Sequence, residues 1–226
     1  MNLQNKLNLA TLLCIETAST NCSVAIGVDG KLLDLKEDYN LSYSHSERLH
    51  IFISEILSEN GLTLQDLDAI AISKGPGSYT GLRIGVSAAK GLCFSLDIPL
   101  ISVPTLSALA LKVKEKGTVV PMLDARRMEV YTAAYNSNKE QIEETSAKIL
   151  QADSYNDLLE DGKVNFIGSG VEKFKAICTH PNAVFIEDQL PSAKEMIELA
   201  FFKYKNSDFE DVAYFEPYYL KDFMAG

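Results

Sequence analysis

The stretch Lys74-Gly75-Pro76-Gly77-Ser78-Tyr79-Thr80-Gly81-Leu82-Arg83 carries the densest chemical signal in the sequence. It is a glycine-rich turn between an apolar run (69–73) and a helix-compatible segment (80–96), with Ser78 or Thr80 available as N-cap. Free N–H groups at a helix start attract anions. A phosphate loop of the GxxxxGK[ST] kind also needs a terminal Lys followed by Ser or Thr. That pair is absent, so phosphoryl transfer from this loop has no residue to carry it. The other reading is a tight turn into a buried helix.

The helix after the turn has two apolar sides. At about 100° per residue, Val86, Ala89, Cys93 and Leu96 share one side. Gly81, Ile84, Gly85, Ala88, Gly91 and Leu92 lie nearly opposite, with Arg83, Ser87 and Lys90 as a narrow polar edge. One side packs on the protein's own sheet. The small-residue side admits a second helix at close range, from the same chain or from a partner.

His45, Glu47 and His50 form the histidine-rich cluster. Zinc on a helix needs i, i+4 spacing, and residues five apart diverge by about 140°, so this pair does not read as a metal site. His180 precedes Pro181 in a loop with no visible partner, and no GxSxG nucleophile signature occurs. Glu16 and Asp124 end two comparable apolar runs and could flank a cleft holding Mg²⁺, or serve as turn-stabilising acids. Arg126-Arg127 is too short a basic run for a nucleic-acid patch. Cys14, Cys22, Cys93 and Cys178 form no CxxC pair and read as reduced core residues of a cytosolic protein.

The elements that position these residues follow from composition and pattern. The chain has 226 residues, 46% hydrophobic and 23% charged, an ordinary globular composition. Net charge is −10, which argues against unaided binding to a phosphate backbone. No secretory signal or membrane-length apolar run is present. Segments 11–17, 22–28 and 31–38 read as three antiparallel strands, with Asp29-Gly30 as the hairpin turn. Leu49, Phe52, Ile53, Ile56 and Leu57 make one stripe of a helix over 44–59, ended by Asn60-Gly61. Strand 69–73, helix 80–96, strand 100–103 and helix 105–114 complete the first half.

The second half echoes the first. Strands are expected at 119–123, 129–135 and 141–150, and strand 164–167 runs into Gly168-Ser169-Gly170 as strand 69–73 runs into Gly75-Pro76-Gly77. The spacings differ, so the second copy is trimmed. This predicts two related α/β lobes with mixed sheets flanked by helices: 1–104, then 105–204. Helix 193–203 precedes an aromatic tail, and segment 205–226 is expected to pack back on the first lobe.

Three ordered segments resemble the bacterial TsaB (YeaZ) family. They are Leu13-Cys14-Ile15-Glu16-Thr17-Ala18-Ser19 with Cys22-Ser23-Val24-Ala25; Gly75-Pro76-Gly77-Ser78-Tyr79-Thr80-Gly81-Leu82-Arg83-Ile84-Gly85; and Leu123-Asp124-Ala125-Arg126-Arg127-Met128-Glu129-Val130-Tyr131. The tail Pro217-Tyr218-Tyr219-Leu220-Lys221 also fits, and the similarity is weakest over 151–191. The resemblance implies two RNase H-like lobes of the actin/Hsp70 (ASKHA) type. It also implies a part in making N6-threonylcarbamoyladenosine in tRNAs that read ANN codons. The metal site and transfer chemistry would belong to the larger paralogue TsaD, with TsaE as an ATPase partner.

By that resemblance, the partner face comprises His45, Ser46, Arg48, Leu49, Phe52 and Ile53, with Ser78, Tyr79, Thr80, Gly81, Arg83, Ile84, Gly85, Ser87, Ala88 and Gly91. The same face would serve a homodimer when the chain is alone. The loop from Glu16 to Asn21 lacks the acidic-x-Gly phosphate pattern of ASKHA kinases, which points to a degenerate nucleotide cleft around Glu16, Asp124, Gly168 and Gly170. The expectation is a non-catalytic cytoplasmic scaffold without its own metal or cofactor, ATP or ADP and Mg²⁺ entering only in the complex. The alternatives are a small ASKHA ATPase or kinase and an M22-like peptidase; the HxxxH motif the latter needs is absent.

Overall fold

The computed structural model describes residues 9–39 and 45–221. The expected helix start at Ser44, the segment 1–8 and Phe223 of the tail lie outside them.

Three strands open the chain as an antiparallel meander: β1 (Thr11–Glu16), β2 (Cys22–Val28) and β3 (Lys31–Asp38). Asp29 and Gly30 both take positive φ, 48° and 75°, as a type I′ turn requires. Helix α1 (His45–Glu59) leads through a short 3-10 turn (Leu64–Asp66) to β4 (Ala69–Ser73). Helix α2 (Tyr79–Leu96) and β5 (Leu100–Val103) follow, with β4 parallel to both β1 and β5. The sheet order is β3-β2-β1-β4-β5.

The second half contains α3 (Thr105–Ala110), β6 (Thr118–Asp124), β7 (Glu129–Tyr135), β8 (Gln141–Ile149), α4 (Asn156–Glu160), β9 (Val164–Ile167), α5 (Val171–Lys175) and β10 (Ala183–Ile186). Its sheet runs β8-β7-β6-β9-β10, the first order repeated strand for strand. The trimming is in the helices: α4 and α5 have five residues each, where α1 and α2 have 15 and 18. The sequence pattern showed neither α4 nor β10 nor the 3-10 turn.

Strand β1 is buried along its whole length because both faces of its sheet are covered. Leu13 and Ile15 point into a core with Leu49, Ile53 and Ile56 of α1 and Val86, Ala89 and Cys93 of α2. Leu12 and Cys14 point the other way, onto α6 (Ala193–Lys205), through Ala193, Met196, Ile197 and Ala200. The sequence division ran the second lobe to residue 204, yet α6 packs on the first sheet. An amphipathic stripe shows that a helix is covered without showing by what. Gly27 makes the room: a Cβ there would lie 2.6 Å from Ile197 Cγ2. Helix α3 joins the lobes, Leu106 and Leu109 entering the second core and Ala108 the first.

The tail after α6 packs on the first lobe. Glu210 forms a bridge with Leu100 at the edge of β5, and Lys90 of α2 donates to the carbonyls of Ala213 and Phe215. Tyr218 N then donates to Lys74 O at 2.7 Å, and Lys221 pairs with Glu129 of the second lobe. All four cysteines are buried and unpaired.

The second core centres on Phe166, fully buried against Tyr155, Phe174 and Phe185. Phe166→Ala is expected to cost about 3–5 kcal/mol in a chemical unfolding curve, since a rigid sheet cannot collapse into the space left.

Candidate functional site

The helix pair α1/α2 stands on the first sheet, and the way α2 is seated decides which residues face outward. Ser78 is its N-cap, accepting from Gly81 N at 3.3 Å. Ser78 N in turn donates to Ala18 O at 2.7 Å. Two amides at this helix start, Ser78 N and Gly81 N, are therefore taken by the protein itself, as a tight turn into a seated helix requires. Gly75 has φ 107°, and the Cβ of any other residue would press on the Tyr218 carbonyl at 2.8 Å.

The small-residue side of α2 divides in two. Thr17 Oγ1 donates to Gly81 O at 2.8 Å, and a Cβ on Gly85 would overlap that same hydroxyl and lie 3.0 Å from Ile72 Cδ1. Gly81 and Gly85 are thus covered by the chain's own β1–β2 loop and β4. This corrects the expectation that they face a partner. The wheel gave their direction correctly but could not show that Thr17 lies there. Beside them, Gly91 is exposed and Ile84, Ala88 and Leu92 are half-buried. With Arg83, Ser87 and Ser95, and with Ser46 and His50 of α1, they line an open groove of ≈ 720 Å³. Phe94 stands at its outer edge, 83% exposed.

On α1, Leu49 and Ile53 are buried in the first core and Phe52 is half-buried against it, so these residues position the helix and do not line the groove. His45 is also buried: its Nε2 lies 2.8 Å from Ser19 O, and its ring would touch a Cβ on Gly81 at 3.3 Å. It braces α1 against the same loop that seats α2, and burial lowers its pKa. Ser46 and Arg48 are exposed, Arg48 reaching Asp38 at 3.6 Å. Thr80 is exposed, and Tyr79 carries the Arg83 guanidinium 4.5 Å above its ring. Leu92, placed on the small-residue side by the helical wheel, lines the groove, as do His50 and Ser95, which were not singled out for it. Those two continue the Ser46 and Gly91 positions by one turn, and that i+4 spacing was the available signal.

Glu16 and Asp124 do end equivalent strands, β1 and β6, but they are not a pair of open carboxylates. Glu16 has no exposed surface; Oε1 accepts from Ala18 N at 2.5 Å and Oε2 is buried without a hydrogen bond. Burial raises its pKa to about 7, against smaller opposing effects of Ser73, Ala18 and Lys112. Asp124 is exposed and held by Lys173 at 2.8 Å and Arg126 N at 2.6 Å. Gly168 and Gly170 lie beside it, pressed against Met122, where any side chain would collide. As arranged, these four do not make a phosphate or Mg²⁺ cradle. Among the described residues no cluster of three His, Cys, Asp or Glu is placed to hold a metal, and no helix is long and apolar enough to cross a membrane.

Two copies of one five-strand order, joined through α3 and α6, define a duplicated RNase H-like protein of the actin/Hsp70 (ASKHA) type. The profile of the family described as "TsaD: tRNA N6-adenosine threonylcarbamoyltransferase" matches residues 40–225. The Escherichia coli (strain K12) "tRNA threonylcarbamoyladenosine biosynthesis protein TsaB" is 31% identical, over 95% of this chain and 96% of its own. The Bacillus subtilis (strain 168) protein of the same name is 36% identical over 70% of each chain. The solved structure "YeaZ from Pseudomonas aeruginosa" superposes with TM-score 0.80 at 28% identity, covering 93% of this chain and all of that one. The chain belongs to the TsaB (YeaZ) family, within the wider group the TsaD profile describes.

Two outcomes follow. Gly85→Ala is expected to lose about 1–3 kcal/mol through overpacking, whereas Gly91→Ala, with nothing within 4 Å of the new Cβ, gains up to about 1 kcal/mol of helix propensity; thermal melts separate them. A carboxyl whose pKa is raised on folding keeps its proton while the unfolded chain releases one, so its contribution to stability falls as pH rises. For Glu16 the window runs from the ordinary carboxyl value of 4.5 to about 7. Glu16→Gln should remove roughly 3 kcal/mol of that decline, read from unfolding curves of both proteins across the window.

Proposed function

We propose that this chain is a non-catalytic scaffold subunit of the assembly that forms N6-threonylcarbamoyladenosine in tRNA, and that it binds a larger TsaD-type paralogue through the α1/α2 groove. The observation that carries the reading is the groove itself. Ile84, Ala88, Gly91 and Leu92 present an apolar floor, small at Ala88 and Gly91, edged by Ser46, His50, Ser87 and Ser95. An apolar centre with a polar rim is how protein interfaces are built. Gly91 lets another backbone approach closely, because it has no Cβ and open space outside.

The occupant is the equivalent helix pair of the paralogue. The profile of that paralogue's family matches this chain from 40 to 225, a span that holds α1 and α2, and this supports an equivalent helix pair in the paralogue. Two helices from each partner then form a bundle. A second copy of this chain would seat itself the same way when the paralogue is absent.

The site chemistry supports a non-catalytic part. An ATPase or kinase acting alone would use Glu16, which is sealed, and Asp124, which is held by Lys173. Any ATP, ADP or Mg²⁺ would enter with the paralogue or with TsaE, and the setting is the cytoplasm. The peptidase alternative has no residues behind it here.

When the chain is co-expressed with its TsaD paralogue, the wild type should co-elute in size-exclusion chromatography. Gly91→Arg, which plants a charge in the groove without touching the core, should elute alone with an unchanged melting temperature. Co-elution of that variant at the wild-type ratio overturns the interface. Turnover of Mg-ATP by the isolated chain would favour the ATPase.

A further inference from the structure

Next to the groove, at whose border Arg83 stands, the tail brings together groups that lie far apart in sequence. Tyr219 lies against Tyr79 with ring centroids 4.9 Å apart and the planes tilted by 38°, and the Arg83 guanidinium lies 4.5 Å from the centre of the Tyr79 ring. Two residues on, Lys221 reaches Glu129 at the base of the β6–β7 turn. That turn holds Arg126 and Arg127 at consecutive left-handed φ values, 68° and 50°, with both side chains exposed. The acids that flank the arginines are already occupied, Asp124 by Lys173 and Glu129 by Lys221. Among the described residues no ion pair engages Arg126 or Arg127. In a chain of net charge −10 these are two exposed cations on a turn to which Lys221 ties the tail, and Tyr219, two residues before Lys221, is 37% exposed.

We propose that this surface contacts a single-stranded segment of RNA, with Tyr219, backed by Tyr79, offering a face to an unstacked base and Arg126 and Arg127 meeting adjacent phosphates. Aromatic rings beside arginines are the usual means of holding unpaired strands, because every base has a π face and every linkage a charge. An acidic peptide would meet the arginines but have no use for the rings; a regular duplex hides its base faces. The inference rests on the tRNA reading above only for the source of the strand, and it needs no occupied groove. Arg126-Arg127 taken alone was too short for such a patch; the fold adds Arg83, Tyr79, Tyr219 and Lys221 from two other segments.

The test uses the isolated full-length chain, so failure of paralogue binding leaves it untouched. Binding of a labelled single-stranded RNA is followed by fluorescence anisotropy between about 50 and 200 mM salt, with a blunt RNA duplex and poly-glutamate as comparisons. The wild type should bind the single strand in the weak range of about 10⁻⁴ to 10⁻⁶ M. Replacing both arginines by Asn, which tolerates their backbone conformation, should flatten the log–log salt slope by about 1.4. Tyr219→Ala should weaken binding about tenfold or more, and Tyr219→Phe should not. Absence of wild-type binding, equal binding of duplex or poly-glutamate, or unaltered affinity in well-folded variants overturns the proposal.

Discussion

The contact of α2 with the end of β1 governs what this protein can offer to anything outside it. The Thr17 hydroxyl reaches the Gly81 carbonyl, and the bare Cα of Gly85 admits the same side chain. Two helical turns are thereby sunk into the first lobe. Beside that buried strip, Ile84, Ala88, Gly91 and Leu92 line the groove next to α1. His45 closes the arrangement by holding α1 to the same loop through Ser19. Seat and groove are therefore one construction: the depth of Gly81 and Gly85 sets the height at which Gly91 is presented.

Duplication explains the frame, and its imperfection explains the asymmetry. Both sheets share one strand order, yet the helices that follow the meander and the fourth strand are long only in the first lobe. Five-residue helices cannot present an extended face. The first lobe alone carries a helix pair long enough to pack against another such pair. Helix α6 and the tail cover the remaining surfaces of that lobe, α6 on the far side of the sheet and the tail along β5 and the glycine-rich turn.

Much of this was legible in the residues. The Asp29-Gly30 turn, the apolar run of β1, the stripe of α1 and the Gly-Pro-Gly turn are local signals, and local signals survive reading one residue at a time. Strand β9 was found because it repeats β4 in its running into glycines. What was missed is long-range or short. The wheel of α2 placed Gly81 and Gly85 correctly relative to Ala88, but the Thr17 side chain comes from 64 residues away. The stripe of α6 could not name its sheet. Helix α4 and strand β10 are too brief for periodicity to speak, whereas α5 follows the glycines after β9 as their echo of the first half implies. Glu16 read as a candidate ligand because a strand-end acid is ambiguous; only burial shows it sealed.

The claim at the centre is that the outward half of α2, with the first turns of α1, receives the paralogue's helices. Amide hydrogen exchange of the chain, free and in complex with that paralogue, tests it most directly. The account predicts slowed exchange over 84–95 and 46–50 on complex formation, with the second sheet unchanged. Protection confined to the second sheet or to α6, while 84–95 exchanges as before, would contradict it.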